Sequence, residues 1–109
     1  MEGTDMATLF LTYKLKPGTA PEDFENWIRN TDYPAMRGLR RVASYVNYRA
    51  TGLLLGEGSP SVDHVEVFDI PDLAGFVAED MPGGVVQAVM GEFTGLVDNP
   101  EFIIAEAVV

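Results

Sequence analysis

The chain has 109 residues, 47% of them hydrophobic and 22% charged, with a formal net charge of −10. That balance suits one compact domain with a modest core and argues against disorder. The excess of acid disfavours nucleic acid and anionic membranes as partners, and no run approaches the roughly 18 apolar residues of a membrane span.

Cysteine is absent and His64 is the only histidine. Disulfides, thiolate nucleophiles and Cys-based metal sites are therefore excluded, and neither a zinc nor a haem site has the side chains to motivate it. No cofactor and no metal are expected. The opening residues MEGTDMATLF carry acids before a short apolar run and lack the basic flank of a signal peptide. The reading is a cytoplasmic protein, with Met6 an alternative start, residues 1–5 a loose N-terminus and 6–109 a single domain.

Residues 6–16, MATLFLTYKLK, read as a strand with Leu9, Leu11, Tyr13 and Leu15 on one side and Phe10 on the other. After the turn PGTA, Thr19 or Ala20 opens a helix with Pro21 in its first turn and Glu22, Asp23 and Glu25 near its positive end. Phe24, Trp27 and Ile28 share one face of that helix. The helix is expected to weaken at Asp32-Tyr33, because Pro34 disfavours helical geometry in the residue before it.

A second strand is expected over 42–50, VASYVNYRA, with Val42, Ser44, Val46 and Tyr48 on one face and Ala43, Tyr45, Asn47 and Arg49 on the other. TGLLLGEGSPSVD reads as a long hairpin loop with room for a short strand at Leu53–Leu55. HVEVFDI (64–70) alternates as a third strand. A helix from Pro71-Asp72 breaks at Met81-Pro82-Gly83-Gly84 and resumes with an apolar stripe of Val86, Val89, Met90, Phe93 and Val97. Asn99-Pro100 ends it, and FIIAEAVV (102–109) is the last strand.

The order β-α-β-β-α-β places the chain in the α+β class with the ferredoxin-like pattern: a four-stranded antiparallel sheet with helices on one face. The other face needs a cover that one chain cannot supply, so a homodimer through the open sheet face is expected. Three stretches, DYPAMRGLRRVASYVNYR, DHVEVFDIPD and GEFTGLVDNPEFIIAEAV, carry a resemblance to the dimeric α+β barrel superfamily and, within it, to the RedY-like HapK family tied to prodiginine pigment biosynthesis. The resemblance spans residues 6–109. It implies a dimeric α+β barrel with a ligand pocket between the sheet and the helices of each protomer.

His64 has an ordinary pKa near 6.5 that suits a base or proton shuttle, although a histidine at a strand end also reads as a solvated edge residue. Glu66 shares its face; flanking Val65, Val67 and Phe68 would desolvate it and raise its pKa, the alternative being a cross-strand ion pair. Tyr13, Tyr45 and Tyr48 offer aromatic walls with hydroxyls, but Tyr45 and Tyr48 cannot point to the same side of a regular strand. Trp27 reads as core and is compatible with a pocket wall. Asp32 and Tyr33, at a helix break, either border a pocket or cap the following turn. Arg37, Arg40 and Arg41 read mainly as counter-charges for residues 50–109, which hold many acids and no Lys or Arg.

The residues alone lead to a soluble domain able to hold a small hydrophobic or aromatic molecule. The resemblance implies an aromatic or heteroaromatic intermediate of secondary metabolism, such as a pyrrole aldehyde in a prodiginine-type condensation. His64, Glu66 and Tyr13 would then transfer protons or orient the ligand, with Asp32 and Tyr45 at the rim. The alternatives are a cofactor-free monooxygenase or isomerase of phenolic substrates and a non-catalytic carrier.

Overall fold

The computed structural model describes residues 7–109; the expected loose segment at 1–5 and Met6 lie outside the described residues. Strand β1 (Ala7–Leu15) is followed by helix α1 (Pro21–Trp27), a wide π-helical segment (Ile28–Asp32) and helix α2 (Tyr33–Arg37). Strands β2 (Ser44–Arg49) and β3 (His64–Ile70) come next. A short helix α3 (Leu73–Gly75), a second π-helical segment (Phe76–Asp80) and helix α4 (Gly84–Phe93) lead to strand β4 (Val97–Ala105). The sheet order is β2-β3-β1-β4 with every neighbouring pair antiparallel, so the fold is the expected ferredoxin-like one.

Strand parity and register together decide what lies under the helices. Leu11 and Tyr13 of β1, His64, Glu66, Phe68 and Ile70 of β3, and Tyr45 of β2 are all buried on that side. In register, Glu66 stands opposite Leu11 on one flank and Asn47 on the other, while His64 stands between Tyr13 and Arg49. The helices supply Phe24, Ile28, Met36, Phe76, Val86, Val89 and Phe93 to the same core. On the opposite face, Val46, Val67, Phe10 and Ile103 lie directly across from one another in one row that crosses all four strands.

Four expectations need correction. Pro34 does not break the first helix. The wide segment before it bonds the Tyr33 N–H to the Ile28 carbonyl, five residues back, so the regular i−4 ladder is already interrupted where Pro34, which has no N–H to give, enters α2. Helix therefore runs on to Arg37. The second strand starts at Ser44, and Val42 turns into the core instead of continuing the exposed face. Leu53–Leu55 form no strand and lie at the surface. Val97 belongs to β4 and not to the last helix, which ends at Phe93; Asn99 and Pro100 sit within β4. Asn99 adopts a φ of 53°, the register against β1 shifts between Thr12 and Lys14, and an edge strand tolerates the proline.

The charges divide in two. Arg41 pairs with Asp72, Glu79 and Asp80, all in the acidic half as expected. Arg49 instead pairs with Glu25, and Arg37 donates from Nε and Nη2 to the Tyr45 carbonyl at 3.0 and 2.8 Å. Arg37 also stacks over the Tyr33 ring at 3.6 Å, and the Tyr33 hydroxyl accepts from the Asn47 N–H at 2.9 Å. Two side chains of one short helix thus occupy backbone groups on the outer edge of β2, which blunts that edge and fixes α2 against the strand. Tyr33→Phe, which leaves the Asn47 amide without this partner, is expected to destabilise the fold by roughly 1–2 kcal/mol in denaturant unfolding.

Candidate functional site

The site is a polar cluster in the middle of the aromatic core. Tyr13 packs edge-on against Phe24 and Phe93, with ring centroids 5.8 and 4.9 Å apart. Tyr45 stacks on Phe68 at 4.0 Å, and Phe24 meets the His64 ring edge-on at 5.0 Å. Inside this shell the Tyr13 hydroxyl bonds Glu66 Oε2, and the Tyr45 hydroxyl bonds Asp32 Oδ2. Asn47 ties the groups together. Its Nδ2 donates to the Tyr13 hydroxyl at 2.9 Å and to Glu66 Oε2 at 3.2 Å, and its Oδ1 lies 2.8 Å from His64 Nδ1.

That arrangement fixes the histidine tautomer. With the Asn47 amide nitrogen committed to Tyr13 and Glu66, its oxygen faces His64 and can only accept, so Nδ1 carries the proton and Nε2 keeps its lone pair. Nε2 has no hydrogen bond among the described residues. No sealed-off side-chain nitrogen or oxygen goes unpaired among them, so Nε2 retains contact with solvent. Burial lowers the His64 pKa, against the opposing pull of Glu25 and Asp63, and keeps the ring neutral.

The two acids differ. Burial, reinforced by the charge of Asp32, raises Glu66 to about 8 against the hydrogen bond from Tyr13 and the nearby Tyr45 hydroxyl. Burial raises Asp32 only to about 6, because the Tyr45 hydroxyl and the Arg37 charge favour its anion. Near neutral pH one carboxyl therefore holds a proton while its neighbour is ionised, the separation on which acid–base sites depend. Burial and then the nearby carboxylates push both Tyr13 and Tyr45 far above the usual phenol range, so both remain hydroxyl donors.

A cavity of about 170 Å³ opens between the first helical run and β2, lined by Glu25, Ile28, Arg29, Tyr33, Asn47 and Arg49. Asn47 is the residue where the cavity meets the cluster. Of the residues singled out from sequence, Tyr13, Asp32, Tyr45, His64 and Glu66 come together, and Tyr33 stands at the cavity wall. Asp32 makes no capping bond and points inward to Tyr45. Trp27 stacks on Phe24 behind the cluster and donates to Glu92 at the surface. Tyr48 lies on the other face of β2, 54% exposed and away from the cluster. His64 is no solvated edge residue and Glu66 has no arginine partner, since β3 is an interior strand and both face the core.

Sequence reasoning placed Asn47 on the Tyr45 face without marking it. The available signal was its position as the uncharged amide of that face, two residues from Tyr45 and opposite a carboxylate once β2 and β3 pair. Among the described residues, no group of three or more His, Cys, Asp or Glu is arranged to hold a metal ion.

The family model described as REDY-like protein HapK matches residues 7–108. The chain belongs to the HapK family. The crystal structure of HapK from Hahella chejuensis shares 26% identity over 94% of this chain and 93% of that one, with a TM-score of 0.77. A dabb family protein with a ferredoxin-like fold from Mesorhizobium loti superposes with a TM-score of 0.73 at 11% identity, covering 95% and 98% of the two chains. SnoaB, a cofactor-independent oxygenase from Streptomyces nogalater, gives a TM-score of 0.71 at 14% identity over 94% and 93%. The last two likenesses concern the fold alone. No curated protein matches the chain in sequence.

The raised Glu66 pKa has a measurable sign. Between the ordinary carboxylate pKa and about 8, the unfolded chain has released this proton and the folded chain keeps it, so stability falls as pH rises. Above about pH 7.5 the Asp32 and His64 contributions are nearly complete, since Asp32 titrates near 6 in the folded chain and the unfolded histidine near its ordinary 6.5. Unfolding free energy is therefore expected to decline toward pH 8 with a slope of up to roughly 1.4 kcal/mol per pH unit. Glu66→Gln should flatten the decline; equal slopes in the two proteins would contradict the assignment.

Proposed function

We propose that the protein binds a single-ring aromatic or heteroaromatic molecule in the cavity beside Asn47 and transfers a proton on it during the making of a secondary metabolite. The observation that carries this reading is the double role of Asn47, which lines the cavity and bonds Tyr13, Glu66 and His64. An apolar cavity of about 150 Å³ accommodates benzene, so about 170 Å³ gives room for one ring, with the rest of a ligand projecting through the open mouth.

The chemistry available is one base and one acid. His64 Nε2 is the unprotonated nitrogen, and Glu66 holds a proton behind Tyr13 and Asn47. Membership of the HapK family and the likeness to HapK support a condensation of the prodiginine type. In such a step a pyrrole carbon attacks an aldehyde carbon, that ring carbon loses its proton to a base and the carbonyl oxygen gains one to give a carbinol; the hydroxyl then gains a second proton and leaves as water while a pyrrole N–H gives up its proton. An oxygenase reading, in which His64 ionises a phenol for attack by oxygen, draws on the same unprotonated Nε2; oxygen consumption separates the two. A carrier would retain its ligand without turnover.

With pyrrole-2-carboxaldehyde and a second pyrrole as substrates, His64→Ala and Glu66→Gln are each expected to lower turnover by roughly 100-fold or more. Asn47→Ala is expected to weaken aldehyde binding as well. Turnover and affinity unchanged in both His64→Ala and Glu66→Gln would rule the site out.

We further propose that a second copy covers the open sheet face, where Val46, Val67, Phe10 and Ile103 form their apolar row. Sedimentation equilibrium should give twice the chain mass, and Val67→Asp should give the monomer; a monomeric native protein would overturn the proposal.

A further inference from the structure

The geometry points to a negatively charged substituent, a carboxylate on the ring, as the feature that the mouth of the cavity selects; this rests on the ligand reading above. Three charged side chains line the cavity, Glu25, Arg29 and Arg49, and their sum is +1 in a chain whose net charge is −10. The chain has only seven Lys and Arg in all, so two of them at one small opening are a local concentration of positive charge.

Their placement matters as much as their number. The Glu25 side chain is only 17% exposed, whereas those of Arg29 and Arg49 are 60% and 59% exposed. The carboxylate lies low between two arginines that rise around it. Glu25 takes Nε and Nη2 of Arg49 and Nη2 of Arg29, and Asn26 takes Nη1 of Arg29. Arg49 Nη1 and Arg29 Nε have no partner among the described residues. An incoming carboxylate would find these donors free and already oriented, because the shared Glu25 holds both guanidinium groups at the opening.

The interior would resist the same charge. Asp32 is ionised near neutral pH, Glu66 is neutral, and the cluster they belong to is enclosed by aromatic rings. The substituent therefore stays at the mouth while the ring lies inward against Ile28 and Tyr33, toward Asn47.

Pyrrole-2-carboxylate and pyrrole-2-carboxaldehyde test this directly, since they share a ring and differ in charge. By calorimetric titration of the full-length protein, the carboxylate is expected to bind about ten-fold more tightly than the aldehyde, with the preference shrinking as salt is added. Arg49→Gln is expected to abolish that preference. Arg29→Gln, which leaves the Glu25–Arg49 pair in place, is expected to reduce it. Equal affinity for the two probes in the native protein, or a preference indifferent to Arg49→Gln, overturns the inference while leaving the cavity reading intact. Failure of both probes to bind overturns the inference together with the reading beneath it.

Discussion

Everything in this fold adjusts to two carboxyl groups, Asp32 and Glu66, held out of water under one layer of helices. An isolated carboxylate in such surroundings is too costly to persist, so it either finds donors or keeps its proton. Here the two groups take different routes. Asp32 has the Tyr45 hydroxyl and the nearby charge of Arg37, and its pKa rises less than that of Glu66, to about 6. Glu66 has Tyr13 and the Asn47 amide but also feels Asp32, and it stays protonated to about pH 8. One anion already in place is part of why the second does not form.

This requirement explains the irregular first helix. Phe24, Ile28, Asp32 and Met36 are all buried and recur at a strict spacing of four. An α-helix with 3.6 residues per turn drifts by roughly 40° over each such step, so a four-residue row winds away from the core. The wider turn at Ile28–Asp32 takes out part of the drift and keeps Asp32 over Tyr45. It also admits Pro34 without interrupting the helix, and α2 then sets Tyr33 and Arg37 against the edge of β2. The helix that delivers the buried acid and the helix that closes the strand edge are thus one continuous device.

The sequence made legible whatever depends on parity within one element. Alternation assigned His64, Glu66 and Phe68 to a single face, and it separated Tyr45 from Tyr48 before any coordinates. The order of elements sufficed for the ferredoxin-like topology. What stayed hidden depends on how elements meet. Asn47 becomes central only because β2 pairs with β3 in a register that sets it opposite Glu66, across a connection too long to fix that register by turn geometry. Pro34 misled because its usual effect assumes a regular α-helix before it. Val97 continued the helical stripe on paper, yet four residues beyond Phe93 the chain has turned and entered β4.

The two faces of the sheet also divide the work. On the helix side, the cavity mouth sits by the β2 edge, and Tyr33 and Arg37 already occupy backbone groups there. On the other side of the molecule, β4 is an edge strand with Phe102, Ile103 and Ile104 partly at the surface, Phe102 meeting Phe93 of α4 edge-on and Ile103 lying on the open face. Exposed apolar edge strands invite pairing, whereas an edge satisfied by side chains does not. The self-association proposed above would therefore use the open face and β4, away from the opening between Glu25 and Arg49. A second copy seated there as proposed would stiffen the sheet beneath Tyr13, Tyr45 and Glu66 and still leave the ligand its route to Asn47.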